Sequence, residues 1–179
     1  KLGHFSEGKV IVDFLWKNKD KFHKFAKDFM LTDGLLIPGV MSQNCLPLGG
    51  WPQYALNPGC SIWILKVFDD YYQYQRTSKS LEKAYYFFKE TEKAIFKILH
   101  LNSEGFYEFG FHASPEYFED DKRSILKSQS NFELIMLKYL YSKLIEYSKI
   151  LNVSTSHYEE IIKKLASKYN NIFVNYYYI

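Results

Sequence analysis

The run Phe111-His112-Ala113-Ser114-Pro115-Glu116-Tyr117-Phe118 holds the residues best suited to acid–base chemistry in this chain. Pro115 bars its position from a helix interior, and its ring biases Ser114 toward an extended backbone. Glu116 is therefore presented from a stiffened loop with aromatic residues close by. Apolar surroundings disfavour a charged carboxylate and raise its pKa, as a general acid working near neutral pH requires. The competing reading is a solvated loop glutamate beside a turn.

Other clusters carry less chemistry. Asp69-Asp70-Tyr71-Tyr72-Gln73 has the first two acids of the Asp-Asp-x-x-Asp motif with which prenyl-transferring helical enzymes hold magnesium. Gln73 replaces the last acid and no second acidic motif answers it, so the pair reads as carboxylates ending a helix face, bonded to backbone or Lys. Glu119-Asp120-Asp121 lacks the alternating oxygen donors of a calcium loop and reads as a solvated turn before Lys122-Arg123. His4, His23, His100 and His157 show no metal-ligand spacing, and neither a metal nor a cofactor is expected. Cys45 and Cys60 read as isolated thiols rather than zinc ligands, and whether they pair is left open.

The 179 residues amount to one domain or a piece of a larger one, and the chain opens on Lys1 rather than Met. Aromatic content of 19% is high and supplies both a core and a cleft lined with rings. Its 23 basic and 20 acidic residues are scattered, without a block of like charge, so no nucleic-acid partner is expected. No run of apolar residues is long enough to span a bilayer, and the start lacks a signal-peptide pattern. A soluble chain without a membrane partner is expected.

Five segments have helical periodicity. The first covers residues 6–30, with 18–20 as a place where it can break. The second starts at Asn57, a cap, with Pro58 in the first turn; its expected stripe is Cys60, Trp63, Ile64, Val67, Phe68 and Tyr71, which makes Trp63 a core residue. The third covers residues 80–101. The fourth opens with a capping box, Ser130 and Glu133, and the fifth repeats the device with Ser156 and Glu159. Residues 172–179 are aromatic and β-branched, and form a strand or another docked segment. Short links join the second helix to the third and the fourth to the fifth, which makes antiparallel hairpins. Two long links of roughly 27 residues separate the others, and loops of that length inside a domain are usually functional. Alternating helix direction then puts both long loops on one rim, with Trp51, Tyr54 and Asn44 on the same face as His112 and Glu116.

Taken in order, Gly49-Gly50-Trp51-Pro52, the helix with Trp63, the Asp69-Asp70-Tyr71 stretch, Thr77, Leu81, Ala84-Tyr85, then Ser114-Pro115-Glu116 and the Ser130 helix resemble the catalytic domain of glycoside hydrolase family 95. The match covers about two thirds of the chain, and its loop order is more specific than its helices, whose pattern many (α/α)6 glycosidases share. Residues 35–48 depart from the family's usual His-His-Asn-Thr-Asp run.

The resemblance implies an all-α fold of antiparallel helical hairpins, about half of an (α/α)6 toroid, since that barrel has twelve helices and this chain shows five or six. It implies that residues 1–179 form a single helical domain belonging to a larger glycosidase catalytic domain. The family is largely one of inverting α-L-fucosidases, with the glutamate of the Ser-Pro-Glu loop as general acid. Glu116 is accordingly the expected acid. The paired asparagines that position water and the general-base aspartate are implied to lie upstream and downstream of this stretch. Glu108 and Asp33 are weaker loop candidates for a second carboxylate.

His112 is expected either to hydrogen-bond a sugar hydroxyl or the acid, or to cap a backbone carbonyl. Trp51, between Gly50 and Pro52, is a candidate platform for the apolar C–H face of a sugar or a residue pinning the rim shut, and Asn44 is a further candidate contact. The leading function is hydrolysis of fucose-like terminal sugars by acid/base inversion. The alternative is a non-enzymatic helical module that binds carbohydrate or protein through the same rim. Half a toroid would also leave apolar stripes uncovered, so self-association or a missing barrel half is expected as a partner.

Overall fold

The computed structural model of the chain describes residues 3–115 and 122–165. Glu116, the acidic triplet Glu119-Asp120-Asp121 and the segment 172–179 lie outside the described residues. The described residues form an all-α structure of helical hairpins with one small sheet. The helices are α1 (Phe5–Lys17), α2 (Lys19–Met30), α3 (Pro52–Ala55), α4 (Pro58–Gln75), α5 (Ser78–Ile98), α6 (Asn131–Ile150) and α7 (Ser156–Lys163).

Local chemistry accounts for most of the boundaries. Asn57 accepts the Gly59 N–H on its side chain at 2.8 Å with Pro58 in the first turn, as the sequence predicts. Ser130 and Glu133 form the expected capping box of α6. Thr77 and Ser80 form another on α5. The helix expected over 6–30 breaks at Asn18, whose side-chain amide donates to the Phe14 carbonyl at 2.9 Å. Left-handed residues Leu31 and Arg76 end α2 and α4.

Four expectations are corrected. The third helix stops at Ile98, because β1 (Leu99–Leu101) pairs antiparallel with β2 (Tyr107–Phe109). The turn between them is built by Asn102, whose Oδ1 accepts the Glu104 and Phe106 N–H groups, and by Gly105 at φ +81°. The buried face of α4 is Ile62, Leu65, Phe68 and Tyr72, which keeps Phe68 from the expected stripe but otherwise lies one residue out of phase with it. Trp63 is consequently 52% exposed rather than core. Finally, α7 is preceded by Thr155 without a side-chain cap, and the Thr155 hydroxyl instead donates to the Glu159 carboxylate at 2.9 Å.

The core lies between α4, α5 and α6. Phe68 stacks on Phe87 with ring centroids 4.1 Å apart, and Tyr147 meets Tyr72 and Phe88 edge-on. Helix α1 packs along α4 and ties to α5 through an Asp13–Lys83 ion pair of 2.8 Å. Asp70 makes the expected surface pair with Lys66, but Asp69 is buried. It accepts from Tyr147 at 2.6 Å, Tyr139 at 2.7 Å and Gln73 at 3.0 Å, with Lys143 at 3.2 Å. Burial works against its charge, yet these donors outweigh it and hold the carboxyl below its ordinary 3.8.

Helices α4 and α6 run the same way. Gln73 near the end of α4 donates to Glu146 near the end of α6 at 3.1 Å, while Asn57 and Ser130 at their starts share the Ala113 carbonyl. The segments leading into these two starts, carrying Trp51 and His112, therefore meet at one end. The first long loop is held by close backbone approach. A Cβ on Gly39 would sit 2.1 Å from the Tyr54 carbonyl oxygen. Gly39→Ala is expected to displace the loop from α3 and to destabilise the fold by about 1–3 kcal/mol, read from denaturant midpoints. An unchanged midpoint would show that the loop moves freely.

Candidate functional site

The site is built around the backbone of Ala113, two residues before Pro115. Its N–H donates to Glu133 Oε1 at 2.7 Å. Its carbonyl accepts from the Ser130 hydroxyl at 2.6 Å and from the Asn57 amide at 3.4 Å. The other Glu133 oxygen accepts the Ser130 N–H at 2.9 Å and faces His112 Nδ1 at 3.2 Å. Glu133 is fully buried, as is Ala113. A buried carboxylate needs several donors, and its place in the first turn of α6 adds the favourable end of the helix dipole. One residue earlier, the His112 carbonyl accepts the Leu126 N–H at 2.9 Å, which ties the two sides of the second loop together.

His112 is thus brought to Glu133 rather than to open space. The carboxylate oxygen acts as acceptor and assigns the imidazole proton to Nδ1. Its Nε2 lies 4.0 Å from Glu108, which also accepts from Asn102 at 3.0 Å and faces His100 at 3.5 Å. Glu108, on β2, is therefore already partnered. Asp33 is exposed and borders a hollow beside α2 with His23 and Lys27.

Trp51 precedes α3, 43% exposed, with its ring 6.3 Å from Tyr54. Tyr54 and Trp63 line a groove of about 740 Å³ with Ile37, Met41, Ile64 and Val67, and the Lys66–Asp70 pair supplies its polar edge. Cys60, Trp63, Ile64 and Val67, four residues of the stripe expected to be buried, form part of the wall of this groove. Trp63 meets Phe132 edge-on at 5.9 Å, so the groove abuts the same first turn of α6 that holds Ala113. Burial pushes the Cys60 thiol in the groove wall up to about 12, which makes it a poor nucleophile, and Cys45 is likewise a free thiol. Asn44 stands on another flank, in an exposed turn whose carbonyl accepts from Lys21 at 3.0 Å.

The cap formed by Ser130 and Glu133 was legible from spacing, but its second duty was not. One signal was available, since a carboxylate offers about four acceptor sites and a capping box uses one. Asn57 shows the same economy, capping α4 with its oxygen and reaching Ala113 with its nitrogen. Among the described residues no group of three or more His, Cys, Asp or Glu is arranged to hold a metal ion. The arrangement fixes a loop stem at the rim of the hairpins, beside an aromatic groove.

Compared with known proteins, residues 8–176 match the model of the glycosyl hydrolase family 95 catalytic domain. A comparison with curated protein sequences found no match.

Proposed function

Because the chain belongs to glycosyl hydrolase family 95, whose substrates are carbohydrates, we propose that it carries the general-acid side of an inverting site for fucose-like terminal sugars. The family match over residues 8–176 is the observation that carries this reading. Glu116 protonates the departing glycosidic oxygen, and a base about 6.5–9.5 Å away activates water on the opposite face of the ring. Rigid attachment of Ala113 to α6 supports the assignment, since an acid must be held within hydrogen-bond reach of the oxygen it protonates. Trp51 is assigned to the apolar face of the sugar and Asn44 to a polar contact at the edge of the rim. His112 serves the loop through Glu133.

Proton NMR of the first-formed sugar tests the reading in the complete catalytic domain. An α-L-fucoside should release the β anomer first. Release of the α anomer would refute inversion, and turnover of other glycosides without fucosides would refute the sugar. Binding of fucosides without turnover by the complete domain would favour the helical binding module instead.

We assign residues 1–179 to a single helical domain that forms part of a larger ring of helices. Phe5, Val10, Ile11 and Trp63 are exposed on α1 and α4, where further helices would pack. The isolated chain is expected to bind a hydrophobic dye and to self-associate. A stable monomer with little dye binding, measured by light scattering, would count against the half-ring.

A further inference from the structure

We propose that Glu92 and His157 form a pH-operated latch that fastens α7 to α5, closed in acid and loosened as pH rises. Glu92 stands on α5 and is 5% exposed. His157, in the first turn of α7, is half-exposed, and its Nε2 meets Glu92 Oε1 at 2.9 Å. The imidazole is held edge-on to the rings of Phe96 on α5 and Tyr158 on α7, with centroids 5.1 and 5.4 Å away. Helix α7 packs mainly on α6, and this pair ties it across to α5. The latch is independent of the sugar and acid assignments above.

The unequal burial of the two partners sets the direction. Inside the fold the carboxylate loses its water, and the His157 ring with the Tyr141 hydroxyl at 3.4 Å replaces it. Desolvation outweighs these donors and holds the Glu92 carboxyl above its ordinary 4.5. The stability contributed by the protonated form is fully present below the unfolded value and is lost as pH rises through the higher, folded one. Loss of the imidazole proton at still higher pH leaves the buried carboxylate with neutral donors alone, which loosens the contact further. The neighbouring groups do not reverse this sign. Burial holds the hydroxyls of Tyr141 on α6 and Tyr158 on α7 above their ordinary range, so both stay neutral. Lys93 on α5 favours the carboxylate but is paired with Glu90, and desolvation outweighs it as well.

Opening the latch reaches beyond α7. The chain leaving this helix crosses onto the hairpin, where the Lys164 carbonyl accepts the Tyr107 N–H of β2 at 2.8 Å. Strand β2 runs on to His112, so the end of α7 is joined by backbone to the segment that enters the site. Displacing α7 would also uncover Tyr158 and Ile161, both buried, together with the face of α6 beneath them.

Hydrogen exchange followed by mass spectrometry tests the latch in the complete catalytic domain, with rates corrected for the intrinsic pH dependence of amide exchange. Protection of peptides from α7 and β2 is expected to fall about 2–5-fold between about pH 5 and about pH 8, the size of a half-exposed ion pair. Peptides from α4, away from the latch, should not follow. Glu92→Gln keeps the volume but cannot ionise, and should flatten the pH dependence of α7. Should that variant not fold, His157→Gln, at a half-exposed position, serves in its place. It removes the imidazolium that offsets the carboxylate, and should move the loosening of α7 to lower pH. Equal protection of α7 at both pH values would overturn the latch. So would a pH dependence that survives Glu92→Gln, a His157→Gln profile identical to the wild type, or a parallel loss in α4, which would mark global unfolding.

Discussion

Glu116→Gln is expected to lower hydrolysis of glycosides with poor leaving groups by about 10²–10⁴-fold in the complete catalytic domain. Glutamine keeps the shape and the hydrogen-bonding capacity but has no proton to transfer. Activated aryl glycosides depart as stable anions and should suffer much less. That contrast separates an acid from a binding residue, whose loss would weaken both substrates alike. The alkaline limb of the pH–rate profile should also change, because the ionisation that limits the wild type at high pH disappears with the carboxyl. Equal losses on the two substrates, or none, would remove Glu116 from the role and leave the rim as a binding surface.

Asp69→Ala is expected to cost about 3–5 kcal/mol of stability at neutral pH, read from guanidinium unfolding. It would leave the hydroxyls of Tyr139 and Tyr147, the amide of Gln73 and the ammonium of Lys143 without their common acceptor in the heart of the α4–α6 contact. The pH dependence has a definite sign. The folded pKa lies below the unfolded value of about 3.8, so the folded state favours the ionised form. The stability so gained is present above the unfolded value and is lost as pH falls through the lower, folded one. The gap between wild type and Asp69→Ala should therefore narrow in strong acid. A gap independent of pH would mean that only packing, and not the charge, is at stake.

How far the sequence reaches differs among elements with similar signals. The starts of α4 and α6 were legible because a cap is a local event, settled by side chains within three residues of the backbone they bond. The break at Asn18 and the short links were legible for the same reason. The β1–β2 hairpin was hidden because Leu99 and Leu101 continue the apolar pattern of α5. Only the Asn102–Gly105 turn distinguishes the two conformations, and the pairing of Leu99 with Phe109 confirms it across the sheet.

Which apolar face of α4 is buried was a tertiary decision. The expected stripe Cys60, Trp63, Ile64, Val67, Phe68 and Tyr71 shares Phe68 with the buried face Ile62, Leu65, Phe68 and Tyr72 and is as apolar, and periodicity cannot choose between two such stripes on one helix. Packing of α5 and α6 chose the second and left Trp63 to an open groove. The same holds for the site. Composition and spacing determined that a proline-stiffened Ser-Pro-Glu loop follows a helical hairpin and precedes a capped helix. Only the fold brought Asn57 and Glu133 to Ala113, from positions 56 residues before it and 20 after it. A chain can encode each hydrogen-bonding group locally, but which groups meet depends on how the helices stack, because every buried donor and acceptor must find its partner there.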